Sequence, residues 1–466
     1  MGWSQSEILA ATGGEVERAG RRARFGEVVT DSAKAKNGSV FVALKGERHD
    51  GHSFVVEAVR RGAACVIVHR EVALPAKATT VIKVGDTLRA LGDLAHFRRQ
   101  RYAPKVLAIG GSNGKTTTKE MVAAILEEGS LGGRPLRGRV LKTEGNFNNL
   151  VGLPLTLLRL RKQDKVAVVE LGTNQPGEIQ RLAEIADPDM GIITSVAAEH
   201  LEGLKSLAGV AREEGALFRN IRAGGAIALN VDDPWIKRLG ERFSGKKFTY
   251  GKRAWLRSGA YRMRDADGVD VTFSAARAKC RVRLNYLGQH NVTNALGAAA
   301  LVLGAGVSAA AVRRGLAKAK PYAMRMQIDS WRGVGIINDA YNANPASMRA
   351  ALQTLNELPA RGNKFAVLGD MFELGRHSRR EHRELGKAIA GVQLDRLFLL
   401  GAQADIVRRG ALSAGMAAAK ITVGRDHVDI AAQIRALARR GDWLLVKGSR
   451  GMRMEKVIHE LKGGKA

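Results

Sequence analysis

The sequence predicts an α/β protein built from three successive regions, residues 1–100, 101–318 and 319–466. Two observations carry this prediction. Short, strongly apolar runs of the buried parallel type recur along the chain, and helix-like sequence separates them, as in doubly wound sheets. A length of 466 residues also allows two to four domains, each able to bury its own core.

The predicted strands can be followed in order. The first region contains "GSVFVALKG" and "AACVIVH", with helical stretches between them. Pro104 introduces "KVLAIGG" of the second region, and "KVAVVELG", "MGIITSV" and "GGAIALN" follow as parallel strands. A more polar stretch, 248–287, is expected to form antiparallel strands, and an alanine-rich helix is expected near 291–303.

The third region begins near Pro321 and repeats the alternation. Its predicted strands are "GVGIIND", "KFAVLGD", "RLFLLG" and "DWLLVKG", each followed by helix-like sequence. The chain contains no repeat of fixed period and no low-complexity linker. These features favour a mostly parallel sheet in the central region and a separate α/β unit after it.

Composition favours a cytoplasmic enzyme. Hydrophobic residues make up 45% of the chain and aromatic residues 5%, and no apolar run approaches the roughly 20 residues of a membrane span. The N-terminus lacks a basic region followed by an apolar core, so no secretory signal is expected. The two cysteines, Cys65 and Cys280, lie far apart and are predicted to be reduced thiols.

The formal net charge of +30 favours either attraction to a polyanion or a generally basic surface. Basic residues are spread along the whole chain, and no patch interleaved with aromatic residues accompanies them. This distribution favours the second interpretation, together with electrostatic steering of anionic substrates. No nucleic-acid partner is expected.

The stretch "LAIGGSNGKTTTKEMVAAIL" predicts a phosphate-binding turn between a strand and a helix. Gly111 and Gly114 allow backbone N–H groups to close on phosphate oxygens, and the helix directs its positive end at them. Lys115 supplies a positive charge, and the Thr116 hydroxyl can bind Mg²⁺. The strict Walker pattern requires a glycine where this chain has Ile109.

Two side chains follow neighbouring strands of the same predicted sheet. "VAVVELGT" places Glu170 at the carboxyl end of its strand, where a carboxylate can hold Mg²⁺. "MGIITSVAAEHLE" delivers His200 to the same edge, although a lone histidine there is more often a surface or capping residue. The chain has no Asn-Lys-x-Asp guanine signature, which disfavours a GTPase.

Eight motifs in this order resemble the Mur ligases over nearly the entire chain: "GSNGKTTTKE", "TEGNFNNLVGLPLTLL", "VVELGTNQPGEI", "AAEHLEGLKS", "LGQHNVTNALGAAA", "NDAYNANPASM", "LGDMFELG" and "VKGSRGMRMEKV". The family uses the shorter loop Gly-x-x-Gly-Lys-Thr/Ser, which accounts for Ile109. "NDAYNANP" and "LGDMFELG" resemble the member that joins D-alanyl-D-alanine to UDP-N-acetylmuramoyl-tripeptide. The resemblance implies a UDP-sugar domain (1–100), a central ATPase (101–318) and a C-terminal Rossmann-like domain that closes over the site and binds D-alanyl-D-alanine (319–466).

The resemblance also implies the reaction and its ATP site. ATP would phosphorylate the terminal carboxylate of the tripeptide, and the dipeptide amine would then displace phosphate from the acyl phosphate. Lys115 would bind the β- and γ-phosphates; Thr116, Glu170 and His200 would hold or orient Mg²⁺. The full set of implied ATP-binding residues is Gly111, Ser112, Asn113, Gly114, Lys115, Thr116, Thr117, Asn291, Asn294 (adenine), Arg325 (phosphates), Asp339 and Tyr341 (ribose and nucleotide).

Substrate residues are implied in three segments. The muramoyl substrate would meet Thr143, Asn146 and Asn149, which otherwise suit asparagine-rich turns. The segment "DSAKAKNGSVFVALKGERHDGHSFV" would line the UDP-sugar with Asp31, Ser32, Lys45, Gly46, Arg48, His49, Asp50, Gly51 and His52, which by composition alone form a polar loop. Asn342, Lys447, Ser449 and Arg450 complete the set; the alternative for the last three is a solvated basic turn.

One position departs from the family. The helix after His200 usually carries a lysine that CO₂ carbamylates and that helps to bind metal, and "GVAREEGALF" places Glu214 there. We interpret Glu214 as a built-in substitute for the carbamate and count it with Lys115, Glu170 and His200 as catalytic. Its stem is shorter by roughly 4 Å, so a bridging water or a shifted helix would be needed. The alternative is that Glu214 faces solvent beside Glu213.

Three alternatives remain open at this stage. Another Mur-type ligase, or a folylpolyglutamate or cyanophycin type, would share the central motifs but not "ALKGERHDGH" or "NDAYNANP". A basic nucleic-acid-binding ATPase is motivated by the charge, and a non-catalytic nucleotide-binding module is the third. The expected partners are small-molecule substrates only, with ATP and Mg²⁺, and the chain is expected to be a monomer without a membrane span.

Overall fold

The computed structural model describes residues 2–47, 49–74, 78–275, 278–359 and 362–464. The first region forms a five-stranded sheet in the order β2-β7-β6-β5-β4, in which β4 to β7 are parallel and β2 is antiparallel to β7. Its elements are β1 (Trp3–Ser4), α1 (Gln5–Thr12), β2 (Glu15–Arg18), β3 (Arg24–Phe25), β4 (Val28–Val29), β5 (Val40–Val42), α2 (Val55–Arg60), β6 (Cys65–Val68), β7 (Thr80–Lys83) and α3 (Thr87–Tyr102).

The central region forms a nine-stranded sheet in the order β11-β12-β8-β13-β14-β15-β16-β17-β18. Its elements up to residue 250 are β8 (Lys105–Gly110), α4 (Lys115–Glu127), β9 (Ser130–Leu131), β10 (Arg134–Pro135), β11 (Val140–Lys142), α5 (Gly152–Leu157), β12 (Val166–Glu170), α6 (Glu178–Ala186), β13 (Met190–Ile193), α7 (Leu201–Leu204), α8 (Leu207–Glu214), α9 (Ala216–Arg219), β14 (Ala226–Asn230), α10 (Pro234–Glu241) and β15 (Lys246–Tyr250). The remainder are β16 (Leu256–Met263), β17 (Val269–Ala275), β18 (Ala278–Leu284), α11 (Gln289–Gly304) and α12 (Ala309–Lys318).

The third region forms a six-stranded sheet in the order β19-β20-β24-β21-β22-β23, parallel except for the β19–β20 pair. Its elements are β19 (Gln327–Trp331), β20 (Val334–Asp339), α13 (Pro345–Glu357), β21 (Lys364–Gly369), α14 (Ser378–Ala390), β22 (Arg396–Leu400), α15 (Ala404–Ser413), β23 (Ile421–Val423), α16 (His427–Leu437), β24 (Trp443–Lys447) and α17 (Glu455–Leu461).

The predicted α/β class and its mostly parallel sheets are confirmed. Strands β8, β12, β13 and β14 are buried along their length except for the first residue of β8, as their continuous apolar sequences require. One detail is wrong: the antiparallel strands do not begin at residue 248. The strand Lys246–Tyr250 pairs in parallel with β14, and only β16 to β18 run antiparallel. Helix α10 precedes β15 and provides the crossover that parallel pairing needs.

The sheet topology sets the location of the site. Strands β12, β8 and β13 are adjacent and parallel, so their carboxyl ends deliver the phosphate turn, Glu170 and the segment before His200 to one edge. Leu107 and Ile109 of β8 are fully buried against α4 and α11, which fixes this edge rigidly. Within the part of the chain that the structure describes, no helix is both long enough and apolar enough to cross a membrane.

Candidate active site

The phosphate turn between β8 and α4 requires both of its glycines. Gly111 and Gly114 have φ of 112° and 87°, in the left-handed region that side chains rarely adopt. Space excludes a side chain as well, because a Cβ would lie 2.4 Å from Thr194 Oγ1 at Gly111 and 2.3 Å from Asn294 Oδ1 at Gly114. The Lys115 ammonium donates to the Gly111 carbonyl at 2.6 Å, so it lies folded over the turn.

The turn is held against the end of β13 by hydrogen bonds. The Ser112 N–H donates to the Ser195 carbonyl at 2.8 Å, and the Asn113 N–H donates to Ser195 Oγ at 2.9 Å. Thr194 Oγ1 donates to the Asn113 carbonyl at 2.6 Å. The turn therefore keeps its shape through contacts with a neighbouring strand, and is preorganised for an anion.

Glu170 lies buried at the carboxyl end of β12, beside the first turn of α4. The Thr116 hydroxyl donates to Glu170 Oε1 at 3.2 Å, and Asn148 Nδ2 donates to the same oxygen at 2.9 Å. Glu170 Oε2 is buried and has no hydrogen-bond partner. Lys119 Nζ lies 3.8 Å from it and is itself fully buried.

These groups fit Mg²⁺. A hydroxyl and a carboxylate with an unused, buried oxygen are hard donors, and Mg²⁺ is usually held by one or two such protein ligands together with phosphate oxygens and water. Thr116 and Glu170 would hold the ion. Among the described residues, no group of three or more His, Cys, Asp and Glu side chains is placed to hold a metal without such help.

His200 stands at the same edge and is bonded to the third region. Its Nδ1 pairs with the Glu373 carboxylate, and its Nε2 lies 3.9 Å from Glu199 Oε2. Burial alone would lower the pKa of His200, but the hydrogen bond with Glu373 and the charge of Glu199 outweigh it and raise the pKa. The structure thus brings His200 to the site as predicted, and adds Glu199 and Glu373, which the sequence did not indicate.

Lys115 is surrounded by carboxylates. Its Nζ lies 4.0 Å from Glu199 Oε1. Burial opposes its charge, but Glu199, Glu214 and Glu170 together raise the pKa of Lys115 above its usual value. Burial raises the pKa of Glu199 in turn. The ammonium is therefore charged and placed to meet an anion.

Glu214 and Glu213 are both buried, so the alternative that Glu214 faces solvent beside Glu213 is wrong. Glu214 is 0% exposed, and its Oε2 accepts a 2.7 Å hydrogen bond from the Gly111 N–H, beneath the phosphate turn. Its Oε1 has no partner. Burial is the main reason that the pKa of Glu214 is raised to about 7.

Glu213 stabilises the start of a neighbouring helix instead. Its carboxylate accepts from the Gly177 and Ile179 N–H groups, each at 2.8 Å, at the start of α6. Adjacent residues on a helix point about 100° apart, so Glu213 and Glu214 are both buried only because α8 has neighbours on two sides. One of these neighbours is α6. Glu214 therefore bonds to the phosphate turn, and Glu213 to the N-terminus of α6.

The third region completes a cavity of about 610 Å³ over the phosphate turn. Asp339 Oδ2 accepts from Lys447 Nζ at 2.6 Å, and Arg325 lies 4.1 Å over the Tyr341 ring. Asn344 Nδ2 donates to Asn113 Oδ1 at 2.9 Å, which joins α13 directly to the turn. The predicted residues that line this cavity are Ser112, Asn113, Gly114, Lys115, Thr117, Asn146, Asn149, Glu170, His200, Asn291, Asn294, Arg325, Asp339, Tyr341, Asn342 and Lys447.

The remaining predicted residues of the last two regions lie close by. Gly111, Thr116 and Glu214 form the floor of the turn, and Thr143 Oγ1 accepts from the Glu170 N–H at 3.0 Å. Ser449 and Arg450 line a smaller adjoining cavity of about 100 Å³ together with Phe372 and Glu373. Ser449 Oγ accepts from the Phe372 N–H at 2.8 Å, so it shapes the loop as well.

Cavity residues that the sequence analysis missed include Asn148 and His290, both of which line the cavity. Asn148 belongs to the same asparagine-rich motif as Asn146 and Asn149, and that motif was the only signal for it. Burial lowers the pKa of His290 to about 4, so the ring is neutral at physiological pH. It lies in the motif that supplies Asn291 and Asn294.

In the first region, none of the predicted UDP-sugar residues that the structure describes lines either cavity. Arg48 lies outside the described residues. Asp31 caps the short helix 32–34, Ser32 donates to Glu57 at 3.0 Å, and Lys45 to Asp50 forms a closed loop through the Gly46–His49 hydrogen bond of 2.9 Å. The loop leads into the short helix Gly51–Phe54.

Asp50 and His52 hold this loop in place. Asp50 accepts from the His52 ring at 2.7 Å and from Arg70 at 2.8 Å, and the backbone and ring hydrogen bonds of His52 keep the pKa of Asp50 well below its usual range. His52 is buried, accepts from the His69 N–H at 3.2 Å, and has a pKa lowered mainly by burial. The His52 side chain therefore supports the loop from inside rather than facing a ligand.

The fold and the site together define an ATP-dependent ligase with a site that fits Mg²⁺. The Mur ligase middle domain matches residues 109–302, the Mur ligase glutamate ligase domain 324–450, and the Mur ligase family catalytic domain 25–99. The chain belongs to the Mur ligase family. It is 36% identical to UDP-N-acetylmuramoyl-tripeptide–D-alanyl-D-alanine ligase of Bacillus subtilis (strain 168), over 93% of this chain and 92% of the relative.

Solved structures agree with this assignment. The MurF of Acinetobacter baumannii superposes with a TM-score of 0.91 at 32% identity, covering 99% of each chain. The MurF ligase of Thermotoga maritima in complex with ADP superposes with a TM-score of 0.81 at 27% identity, covering 94% of this chain and 97% of that one. The comparison with a nucleotide-bound relative supports a nucleotide site in the same fold.

Proposed function

We propose that the chain joins D-alanyl-D-alanine to UDP-N-acetylmuramoyl-tripeptide, with ATP hydrolysed to ADP and phosphate, in the synthesis of the peptidoglycan precursor. The observation that carries this proposal is one cavity to which two domains contribute. Lys115 and Glu170 of the central domain line it, with Thr116 bonded to Glu170, and so do Asp339 and Lys447 of the third domain. The relatives named above carry that activity in their names.

The reaction proceeds in two balanced steps. A carboxylate oxygen of the tripeptide attacks the γ-phosphorus of ATP, and the bond to ADP breaks, which gives an acyl phosphate and ADP. The dipeptide amine then attacks the acyl carbon, the bond to the phosphate oxygen breaks, and the nitrogen loses a proton as the amide forms. Both steps depend on alignment and on neutralising charge.

The chain's own residues supply both. Lys115 and the N–H groups of the turn hold the phosphates. Thr116 and Glu170 would hold Mg²⁺, which would neutralise phosphate charge. His200 would help to hold or orient the ion. Asn291 and Asn294 contact the adenine, Arg325 the phosphates, and Asp339 with Tyr341 the ribose; Lys119 and Asn148 keep Glu170 in place.

The domain roles follow the boundaries stated at the outset. Residues 1–100 bind the UDP-sugar through Asp31, Ser32 and the loop from Lys45 to Gly51, which His52 supports from inside; residues 101–318 bind ATP. Thr143, Asn146 and Asn149 contact the muramoyl part, and residues 319–466 close the site and bind the dipeptide near Asn342, Ser449 and Arg450. We place the enzyme in the cytoplasm. We also propose that it is a monomer, which light scattering on a sizing column would test.

Glu214 takes the place of the carbamylated lysine of the family in this proposal. It contributes a carboxylate beneath the turn and near Lys115, and it needs no CO₂. Activity should therefore be the same in CO₂-free buffer and after bicarbonate is added. Stimulation by bicarbonate, or full activity of a Glu214→Ala variant, would exclude this role.

The test of the function is phosphate release from Mg-ATP with UDP-muramoyl-tripeptide, measured with D-alanyl-D-alanine, with other amino acids and dipeptides, and with no acceptor. Release should require the tripeptide and D-alanyl-D-alanine together, and the product should have the mass of the pentapeptide. Preference for another acceptor would point to a different ligase of the family. Stimulation by DNA or RNA that weakens steeply with salt would point to a nucleic-acid-dependent ATPase.

A further inference from the structure

The motif "LGDMFELG", residues 368–375, runs from the end of β21 into the loop that follows it, and the roles proposed above give it no task. It belongs to the third domain, yet it reaches the metal side of the central domain. The Glu373 carboxylate pairs with Nδ1 of His200, and the Glu373 carbonyl accepts from the Glu202 N–H at 3.2 Å. Glu373 thus bonds to both the side chain and the following backbone of the His200 segment.

The backbone is shaped for this contact on both sides. His200 and Glu373 have φ of 48° and 62°, and a non-glycine residue in this left-handed region is strained, so it persists only where its surroundings determine it. Gly375, with φ of 51°, lies directly against Glu202, where a Cβ would be 3.5 Å from the Glu202 Cα. Two strained residues from different domains therefore meet at one bond.

The bond determines how the imidazole can act. The Glu373 carboxylate accepts the Nδ1–H and fixes the plane of the ring, so that Nε2 carries the lone pair when the ring is neutral. Nε2 faces the inside of the site, since it lies 3.9 Å from Glu199 Oε2 and the other Glu199 oxygen lies 4.0 Å from Lys115 Nζ. The free nitrogen is therefore directed towards the phosphate end of the cavity.

We propose that Glu373 is the positioning residue of His200, and that it makes the divalent-cation site dependent on the docked third domain. The inference rests on the proposed function for the role of His200. Because Glu373 and His200 belong to different domains, the imidazole is oriented only while the two domains are in contact. Binding of the cation and seating of the third domain then favour each other, as coupled equilibria must.

The test measures Mn²⁺ binding to the full-length enzyme in the presence of ADP, by the loss of the free-ion electron paramagnetic resonance signal. The variants are Glu373→Ala, Glu373→Gln, His200→Ala and the double variant Glu373→Ala/His200→Ala. Glu384→Ala is the matched control, since Glu384 is an exposed glutamate of the same domain that pairs with Lys387. Melting curves establish that each variant is folded.

Glu373→Ala should weaken Mn²⁺ binding about 10- to 100-fold, the range found when an outer partner of a metal-binding histidine is removed. The double variant should bind no more weakly than His200→Ala alone. Glu373→Gln should recover most of the affinity, because its amide oxygen accepts the same hydrogen bond, and Glu384→Ala should change nothing. If Glu373→Ala does not fold, Glu373→Met serves in its place, since it fills the space without an acceptor.

Unchanged Mn²⁺ affinity in the Glu373 variants, or losses that add up in the double variant, would overturn the inference. So would a His200→Ala variant that binds Mn²⁺ as tightly as the wild type. Failure of the proposed function is distinguishable, because it shows as an absent pentapeptide product in an enzyme whose Mn²⁺ binding still depends on Glu373 and His200.

Discussion

At the scale of single residues, the site is defined by ionisable groups taken out of water. Lys119, Glu170 and Glu214 are all buried, and each retains an atom without a hydrogen-bond partner. A buried charge without such a partner is costly in an empty site, and a phosphate or a metal ion is a natural complement to it.

Glu214→Gln should change the pH dependence of stability. The pKa of Glu214 is raised to about 7, so its neutral form is favoured in the folded protein. Its contribution to stability is fully present below its unfolded pKa of about 4.3 and is lost as the pH rises through 7. The amide is neutral throughout. Without ligands, the stability of the variant relative to the wild type should therefore rise by on the order of 1–3 kcal/mol between pH 5 and pH 8.

Urea denaturation at the two pH values measures this difference. Glu184→Gln, at an exposed position of α6, is the control and should show no such trend. A Glu214→Gln variant whose stability relative to the wild type is the same at pH 5 and pH 8 would show that the carboxylate is not held neutral by burial.

Lys119→Met should destabilise the fold. Lys119 Nζ lies 3.1 Å from Glu120 Oε1 and 3.8 Å from Glu170 Oε2, and it lies 5.5 Å from the centre of the Tyr322 ring. Removing the cation leaves Glu170 without its buried counter-charge, which typically costs about 3–5 kcal/mol; we expect the lower end, since Lys142 still pairs with Glu120.

Chemical denaturation of Lys119→Met beside Lys162→Met, a lysine on the exposed loop before β12, gives the comparison. The control should lie within about 0.5 kcal/mol of the wild type. Equal stability of both variants would mean that the Lys119 ammonium contributes nothing to the buried network.

At the scale of elements, helix ends carry the site. The N-terminus of α4 forms the phosphate turn, the N-cap of α13 is Asn344, which also bonds Asn113 of that turn, and the N-terminus of α6 is held by Glu213. Each contact joins two segments distant in sequence. The helix termini thus organise both the binding of anions and the connections between elements.

Glu213→Ala should destabilise the central domain by about 2–3 kcal/mol, because two backbone N–H groups at the start of α6 lose their acceptor and a capping interaction is lost. The free energy of unfolding from urea titration measures the effect. Glu184→Ala, on the exposed side of α6, should change it by less than about 0.5 kcal/mol. A Glu213 variant as stable as that control would contradict the capping role.

The sequence predicted the elements well and their partners poorly, for physical reasons. Continuous apolar runs identify β8, β12 and β13, because strands buried on both faces tolerate little else. The strand "KKFTY" carries no such run, and its parallel pairing with β14 depends on the crossover before it. The spacing of apolar residues likewise gives no sign that Lys119 is buried, because the Tyr322 ring beside it comes from a distant part of the sequence.

Contacts between domains were the least predictable part. The sequence places Glu373 in a motif and His200 after a strand, but nothing local relates two residues 173 positions apart. The Mur ligase motifs pointed to most of the cavity residues because their order is preserved, while the Glu373–His200 bond emerges only from the packing of two folded units.

At the scale of the whole molecule, the charge has a local maximum. The outer face of the antiparallel strands β16 to β18 carries Arg257, Arg262, Lys279, Arg281 and Arg283, and Asp270 is the one acid of that face within the described strands. Arg281 and Arg283 share this carboxylate, at 3.2 Å and 3.5 Å. This basic face and the net charge of +30 together give a positive field around the molecule.

This field predicts a salt dependence. The association of the UDP-linked substrate, which carries several negative charges, should be steered, so its kcat/KM should fall several-fold as KCl rises from about 50 to 300 mM. The KM for zwitterionic D-alanyl-D-alanine should change little, and kcat should stay nearly constant. Steady-state kinetics over this range checks both, and equal salt sensitivity of the two substrates would contradict steering.

The most direct test of the central claim uses UDP-muramoyl-tripeptide labelled with ¹⁸O in its terminal carboxylate. The enzyme is given this substrate, Mg-ATP and D-alanyl-D-alanine, and both products are analysed by mass spectrometry. Because the acyl phosphate passes one carboxylate oxygen to phosphate, the account predicts one ¹⁸O in the inorganic phosphate for each pentapeptide formed. Unlabelled phosphate, or phosphate release without pentapeptide, would contradict it.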